Sequence, residues 1–343
     1  MRPEHGVVHA GPGQFNGWPA NNGMWSWDEE VLVRFTNGYF RSDAGFHDID
    51  PDRSRGSLYA RSFDGGDSWA IEHAGDPFAR EATPEPPAGE IDFAHPDFAM
   101  RIRNGGWCVS TDRGREWSPL YELPDFGTGE QLTARTDYVV VDAETCLIFL
   151  SIEEPERETD NEIDRSLCAA IVDGGVSVEF RGWITEDPDQ RSIMPATTRL
   201  ADGTLVTVIR QTDFHGAFDD YERRDNYLEA FRSSDDGRTW TSVGRIAATH
   251  NPAAVRTLDD GRVVVVYGYR TEPYGIRARI TPDGGETWGE EVVLRADGRS
   301  PDLGYPRMIE RPDGRLLIVY YYTTHEHEEQ HIAWTRFDPA ALE

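Results

Sequence analysis

Ser62-Phe63-Asp64-Gly65-Gly66-Asp67-Ser68-Trp69 is the stretch that decides how this chain folds, because it recurs. Ser110-Thr111-Asp112-Arg113-Gly114-Arg115-Glu116-Trp117, Ser233-Ser234-Asp235-Asp236-Gly237-Arg238-Thr239-Trp240 and Thr281-Pro282-Asp283-Gly284-Gly285-Glu286-Thr287-Trp288 share its pattern, S/T-x-D-x-G-x-(S/T)-W. The second copy has Glu116 where the hydroxyl belongs. Each copy carries the chemistry of a hairpin turn: the Asp accepts bonds from nearby backbone N–H groups, the Gly takes positive φ, and the Trp packs beneath. Asp64 and Asp112 are 48 residues apart, as are Asp235 and Asp283, and the gap of 123 between Asp112 and Asp235 is two units long. A worn copy, Val172-Asp173-Gly174-Gly175-Val176-Ser177, fills that gap, with Val178 in place of the Trp.

A second series of turns, Asp202-Gly203, Asp260-Gly261 and Asp313-Gly314, precedes β-rich runs such as Arg262–Tyr267 and Arg315–Tyr320. Two turn types alternating along an all-strand chain describe four-stranded units, the Asp-Gly turn joining strands A and B and the Asp motif joining C and D. Such a unit is a β-propeller blade. A unit of about 50 to 60 residues gives six blades in one all-β domain over 1–343. Between Pro96 and Asp112 there is room for two strands only, so the second blade is short of strands. The last unit offers three, near Arg307–Ile309, Leu316–Tyr322 and His331–Phe337. The β-prone run Gly6–Ala10 is expected to supply its fourth and close the ring.

The 343 residues include 34 basic and 62 acidic side chains, a net charge of −28, and every basic residue is arginine. A surface so negative repels phosphate backbones, which excludes nucleic acid as a partner. An acidic excess without lysine matches proteins that work in high salt, where screening relieves self-repulsion. No apolar run approaches the ~20 residues of a membrane helix, so no membrane partner is expected. Cys108, Cys146 and Cys168 form no CxxC pair and read as buried small hydrophobes. The segment Met1–Gly13 has neither the basic nor the apolar region of a secretion signal, and cytoplasm is the expected location.

Strand entries and B–C loops share one face of a propeller, opposite the Asp motifs. They gather Trp25-Ser26-Trp27, His47-Asp48-Ile49-Asp50, Arg135-Thr136-Asp137, Arg191-Ser192, His250-Asn251-Pro252 and Tyr305-Pro306-Arg307, with Arg210, Arg270, Arg277 and His325 to His331 from the loops. Guanidinium forks hold carboxylates bidentately, so several arginines on one face imply an anionic ligand. The Trp25/Trp27 pair reads either as a sugar-stacking platform or as core.

Asp motifs on a six-bladed propeller resemble the sialidase superfamily over nearly the whole chain. The resemblance implies a retaining glycosidase with a Tyr nucleophile assisted by Glu, an Asp acid/base and three Arg on the substrate carboxylate. Matched by position, it makes Asp50 the acid, with Asp48 as its rival and His47 beside them, and Tyr305 the nucleophile. Arg210 becomes the second arginine and Arg277 the third, with Arg270 as rival. The first-arginine position reads Met24-Trp25-Ser26-Trp27 and the Glu position reads Met194. Arg191, Arg307 and His250 are the candidates to take over some of those roles.

His327-Glu328-Glu329-Gln330-His331 has the spelling of a zinc motif, but that motif needs a helix to put both His on one face, and strands flank it here. Asp48, Asp50 and Asp52 open like a calcium loop, yet Arg53 replaces its Gly and Tyr59 its last Glu. No metal and no cofactor is expected. The functional expectation is a sialidase-like exo-glycoside hydrolase that releases a terminal acidic sugar from a glycan. A carbohydrate-binding propeller without catalysis is one alternative. A polysaccharide lyase acting on a uronate, with a pair such as His250 and Tyr305, is another.

Overall fold

The structure, a computed structural model, describes all residues except 1, 43, 74–82, 88, 127–130, 154–163, 188–189, 215–223 and 343. Antiparallel meanders account for nearly all of it. In chain order the strands are β1 (Glu4–His9), β2 (Gln14–Gly17), β3 (Met24–Trp27), β4 (Glu30–Tyr39), β5 (Gly56–Ser62) and β6 (Ala70–Glu72), with a one-turn helix α1 (Pro19–Asn22) between β2 and β3. There follow β7 (Ala99–Arg103), β8 (Gly106–Ser110), β9 (Gln131–Thr133), β10 (Tyr138–Val140), β11 (Cys146–Glu153), β12 (Asp164–Val172) and β13 (Ser177–Trp183). The remainder are β14 (Gln190–Arg199), β15 (Leu205–Phe214), β16 (Arg224–Ser233), β17 (Thr241–Ala248), β18 (Ala253–Thr257), β19 (Val263–Tyr269), β20 (Gly275–Thr281), β21 (Val292–Arg295), β22 (Gly304–Glu310), β23 (Leu316–Tyr322) and β24 (His331–Phe337).

Five sheets of four or five strands result: β2-β4-β5-β6 with β3 also on β4, β10-β11-β12-β13 with β9 also on β11, β14 to β17, β18 to β21, and β1-β24-β23-β22. The expectation of six full blades is corrected here, since among the described residues the second unit is a two-stranded sheet, β7-β8. A bridge from Trp107 to Tyr121, and a parallel one from Tyr121 to Glu85, extend it. The N-terminal strand pairs with β24 from Glu4↔Arg336 to His9↔Ile332 and is the fourth strand of the last sheet. Two compact units divide the chain. Residues 1–74, 249–283 and 287–343 make the first, and 75–248 with 284–286 the second.

The second strands β19 and β23 are covered on both faces and read as apolar runs; Val263–Gly268 and Leu316–Tyr322 are buried at every position. In the first unit, Val264, Val266, Ile276, Leu303, Ile318, Tyr320 and Phe337 belong to one core. In the second, Trp107, Ile148, Leu150, Leu167 and Ile171 belong to another. Each fully buried Leu or Ile contributes about 1.5–3 kcal/mol. The three cysteines form no disulfide and are buried among these strands.

The Asp motifs form the expected turns. Ser62 Oγ donates to Asp64 Oδ1 at 2.7 Å, the Gly66 N–H donates to Ser62 Oγ at 2.8 Å, and the Ser68 N–H and Oγ donate to the two Asp64 oxygens at 2.8 and 2.5 Å. Trp69 Nε1 closes the turn on the Gly66 carbonyl at 3.1 Å. The Asp235 turn repeats this arrangement, with Thr239 as its hydroxyl and Trp240 bonded to Gly237. These motifs join β5 to β6, β16 to β17 and β20 to β21, while Asp202-Gly203, Asp260-Gly261 and Asp313-Gly314 join first to second strands.

The first strands carry an irregularity that hydrophobic patterning does not predict. In the first sheet that strand begins at Gln14, not at Met24, and Trp18–Gly23 bulge out between its two halves. In the sheet of β9 to β13, residues 134–137 do the same between β9 and β10. The register skips between Ile193 and Ala196 in β14 and between Gly304 and Arg307 in β22. Three of the bulges place a non-glycine residue in the left-handed region directly before a proline: Trp18 at φ 55°, Met194 at φ 59° and Tyr305 at φ 51°. Such a backbone costs about 1–2 kcal/mol per residue and persists only where its surroundings over-determine it.

Candidate active site

The first unit supplies the surroundings that hold Tyr305. Its N–H donates to Asn251 Oδ1 at 2.9 Å, and Asn251 Nδ2 donates to the Leu303 carbonyl at 3.1 Å. Gly304 must be glycine: its φ is 105°, and an added Cβ would lie 2.1 Å from Asn251 Oδ1. The Asn251 amide therefore acts as a template for the bulge.

A hairpin beyond β4 brings the acidic residues to the same neighbourhood. Phe40 bridges Ile49, the Arg41 N–H donates to the Asp48 carbonyl at 3.0 Å, and the Asp50 N–H donates to the Tyr39 carbonyl at 2.8 Å. On its returning arm, His47 Nδ1 lies 2.6 Å from Asp302 Oδ1 and the Asp48 N–H donates to Asp302 Oδ2 at 3.2 Å. Asp302 is 2% exposed. It also accepts the Tyr321 hydroxyl at 2.7 Å and Gln330 Nε2 at 3.0 Å. That Gln330 nitrogen donates to Asp48 Oδ2 as well, at 2.8 Å, so one amide links two carboxyl groups.

Arg270 Nη2 donates to the Tyr321 hydroxyl at 2.9 Å and to the Leu303 carbonyl at 3.1 Å. Its guanidinium lies 5.1 Å from the Phe46 ring centre and 5.6 Å from that of Tyr305. The Tyr305 and Tyr321 rings meet edge-on at 5.9 Å, and Trp18 stands edge-on to His47 at 5.1 Å. Burial pushes the Asp48 carboxyl above its usual range; the Gln330 bond pulls it back in part, and the neighbouring Asp302 charge adds to the rise. Burial also holds the Tyr321 phenol far above its ordinary value.

The other expected residues fall elsewhere. Asp50 faces away from this network: Arg41 Nη1 donates to it at 3.0 Å, and its Oδ1 also caps the Asp52 N–H. Arg277 is paired with Glu291 and lies over the Tyr269 ring at 3.4 Å. Of the two rival arginines, Arg270 therefore joins the Tyr305 cluster. Arg307 Nη2 donates to the Ala20 carbonyl at 2.5 Å. Trp25 is 6% exposed, so it is core and offers no stacking face. His250 precedes the template residue Asn251 and is half-buried.

In the second unit, Arg191 Nε donates to the buried Asp164 at 2.7 Å, and Arg210 stands opposite Ile193 and Leu228 in β15. The His327 and His331 rings are 4.9 Å apart, at a loop and the start of β24 instead of on a helix. Among the described residues no group of three His, Cys, Asp or Glu is placed to hold a metal ion.

Asp302, Tyr321 and Trp18 were not singled out by sequence, and Asn251 and Gln330 were named only as members of runs on the expected ligand face. Asp302 is joined to His47 across 255 residues, a pairing no local pattern encodes. A signal did exist for the bulges, in the recurrence of a large side chain before proline at Trp18-Pro19, Met194-Pro195 and Tyr305-Pro306.

Residues 95–318 match the family described as BNR repeat-like domain. The chain belongs to that family. Among solved structures, a protein of unknown function from Dyadobacter fermentans is 20% identical, with 97% of each chain covered and a TM-score of 0.72. The alpha-L-arabinanase of Penicillium chrysogenum, solved with arabinobiose, is 12% identical over 96% of this chain and 98% of its own, with a TM-score of 0.62. The NanB sialidase of Streptococcus pneumoniae is 10% identical over 98% and 71%, with a TM-score of 0.58. No curated protein sequence matches the chain. At these identities the structural likeness is one of fold, and that fold is the all-β propeller.

Proposed function

We propose that this BNR-family propeller is a glycoside hydrolase that releases a terminal acidic sugar, with Asp48 as its general acid. The observation that carries the reading is the half-buried Asp48 carboxyl, raised by burial and linked through Gln330 to the Asp302–His47 pair. A carboxyl raised in this way keeps its proton nearer neutral pH, as protonation of a leaving glycosidic oxygen requires. Arg270 is the group for the sugar's carboxylate. Tyr305 is the group the sialidase resemblance assigns as nucleophile. Propeller neighbours that are an arabinanase and a sialidase support the reaction class. The reading takes β1 as the strand that closes the ring.

The test is a panel of chromogenic sialosides, uronides and arabinosides in high salt, run on the native chain and on Asp48→Asn. Turnover of at least one member should fall by about 10²–10⁴-fold in the variant with the fold retained. Full activity in Asp48→Asn removes the assignment. His47 bonded to a buried carboxylate favours one second reading, proton abstraction from a uronate by His47 with β-elimination. An unsaturated, ultraviolet-absorbing product in place of a hydrolysed one marks that outcome.

A further inference from the structure

Gln330 ends the loop before β24, is 1% exposed, and is held by its carbonyl, which accepts the Asn16 N–H at 2.9 Å. Its Nε2 donates to Asp48 Oδ2 at 2.8 Å and to Asp302 Oδ2 at 3.0 Å, while its Oε1 has no hydrogen-bond partner among the described residues. Turning the amide over would set Oε1 against two carboxylate oxygens, so the network fixes the nitrogen where it is. The orphan oxygen is the cost of aiming two N–H groups at the two acids.

The two acids differ in how their oxygens are used. Both Asp302 oxygens are engaged, Oδ1 by the Tyr321 hydroxyl and His47, Oδ2 by Gln330 and the Asp48 N–H. Asp48 has its Oδ2 on Gln330, and its Oδ1 has no hydrogen-bond partner among the described residues. In a protonated carboxyl the carbonyl oxygen accepts hydrogen bonds well and the hydroxyl oxygen poorly, so a donor fixed on one oxygen makes that oxygen the carbonyl. We propose that Gln330 is the positioning residue of the general acid: it confines the transferable proton to Asp48 Oδ1. The proposal rests on the hydrolase reading above. The Asp48 backbone is tied at both ends, its N–H to Asp302 and its carbonyl to the Arg41 N–H, so with Oδ2 also held, Oδ1 offers its proton in a fixed direction. Besides burial and the Gln330 bond, the charges that reach this carboxyl are Asp302, His47 and Arg299, the last paired with Glu328 at 3.3 Å. Arg41, on the other arm of the hairpin, is engaged by Asp50 and Asp52.

NMR on the full native chain tests this without turnover. Carbon-13 aspartate labelling follows the Asp48 carboxyl, assigned by the signal lost in Asp48→Asn, and the Gln330 side-chain amide protons are followed over the same pH range. These protons should shift as Asp48 titrates yet stay protected from solvent exchange on both sides of the titration, because Oδ2 accepts in both states. Loss of that protection below the Asp48 titration would put the proton on Oδ2 and overturn the proposal. Gln330→Met keeps the length of the side chain and removes the donor, so Asp48 should titrate at higher pH in it; an unmoved titration also overturns the proposal. In kinetics on any substrate the native chain turns over, Gln330→Met should lower kcat about tenfold with KM unchanged and move the alkaline limb of the pH–rate profile to higher pH. A fall in kcat with that limb in place assigns Gln330 to packing and overturns the positioning role. Should Gln330→Met fail to fold, the amide-proton measurement on the native chain decides alone. Both NMR results as expected with no substrate turned over would overturn the hydrolase reading and leave the proton placement standing, so the two failures are told apart.

Discussion

Asp64 and Asp235 sit in turns that surround each carboxylate with donors, whereas Asp48 sits in a network that gives its carboxyl one side-chain donor and another acid. At Asp64, partial burial works against ionisation, yet the bonds from Ser68 and Ser62 prevail and hold the group at about 2. At Asp235 the Thr239 hydroxyl and N–H bring it to about 2 as well. Asp48 moves the opposite way because burial outweighs the bond from Gln330. The same side chain is thus a fixed acceptor in one region and a proton store in the other, and what decides is the number of N–H and O–H groups the local backbone turns toward it.

The comparison is broken most directly at Asp302. If that residue orients His47 and raises Asp48, Asp302→Asn should lower kcat about 100-fold or more with little change in KM, and move the alkaline limb of the pH–rate profile, where the general acid loses its proton, to lower pH. An unchanged pH profile would assign it to packing alone. In the turns the effect is on stability. Asp235→Ala should cost about 2–3 kcal/mol in urea unfolding, the range for lost charge-assisted bonds, and leave kcat/KM as it was. Its sign with pH is opposite to that at Asp48. A carboxyl lowered to about 2 stabilises the fold above the ordinary value near 3.8 and loses that contribution as pH falls toward 2, so native and variant stabilities should converge there. Asp48, being raised, gains relative stability as pH falls. The smallest effect is at the imperfect copy, where the Glu116 N–H reaches both Asp112 oxygens at 3.0 Å but its side chain adds no hydroxyl to that of Ser110. Glu116→Thr should supply that bond and raise stability by about 0.5–1.5 kcal/mol, read as a shift in the denaturation midpoint.

What was legible in the sequence follows the same division. The turns could be read because all their partners lie within eight consecutive residues, Ser62 to Trp69 for instance, and the strands between them because alternation and apolar runs are local. The role of Gly6–Ala10 followed from counting strands in the last unit, and β1 pairs where that count required. The site was harder to read. The hairpin carrying His47, Asp48 and Asp50 was located, yet which acid faces the network depends on Arg41 taking Asp50 and on Asp302 and Gln330 arriving from the loops that precede β22 and β24. Arg270 and Arg277 were equal candidates until Glu291 and Tyr269 were seen to engage the second. The short second unit followed from chain length between Pro96 and Asp112, whereas the expected count of six full blades assumed a regularity that β7 and β8 do not keep.

The bulge at Tyr305 is governed by groups other than the Tyr305 side chain: the Asn251 amide, the glycine before it and the proline after it. Position 305 is therefore a socket. Its backbone presentation belongs to the scaffold, so side chains can be exchanged there as interchangeable tools, and Trp18 and Met194 show two other fittings that the same left-handed, pre-proline geometry accepts.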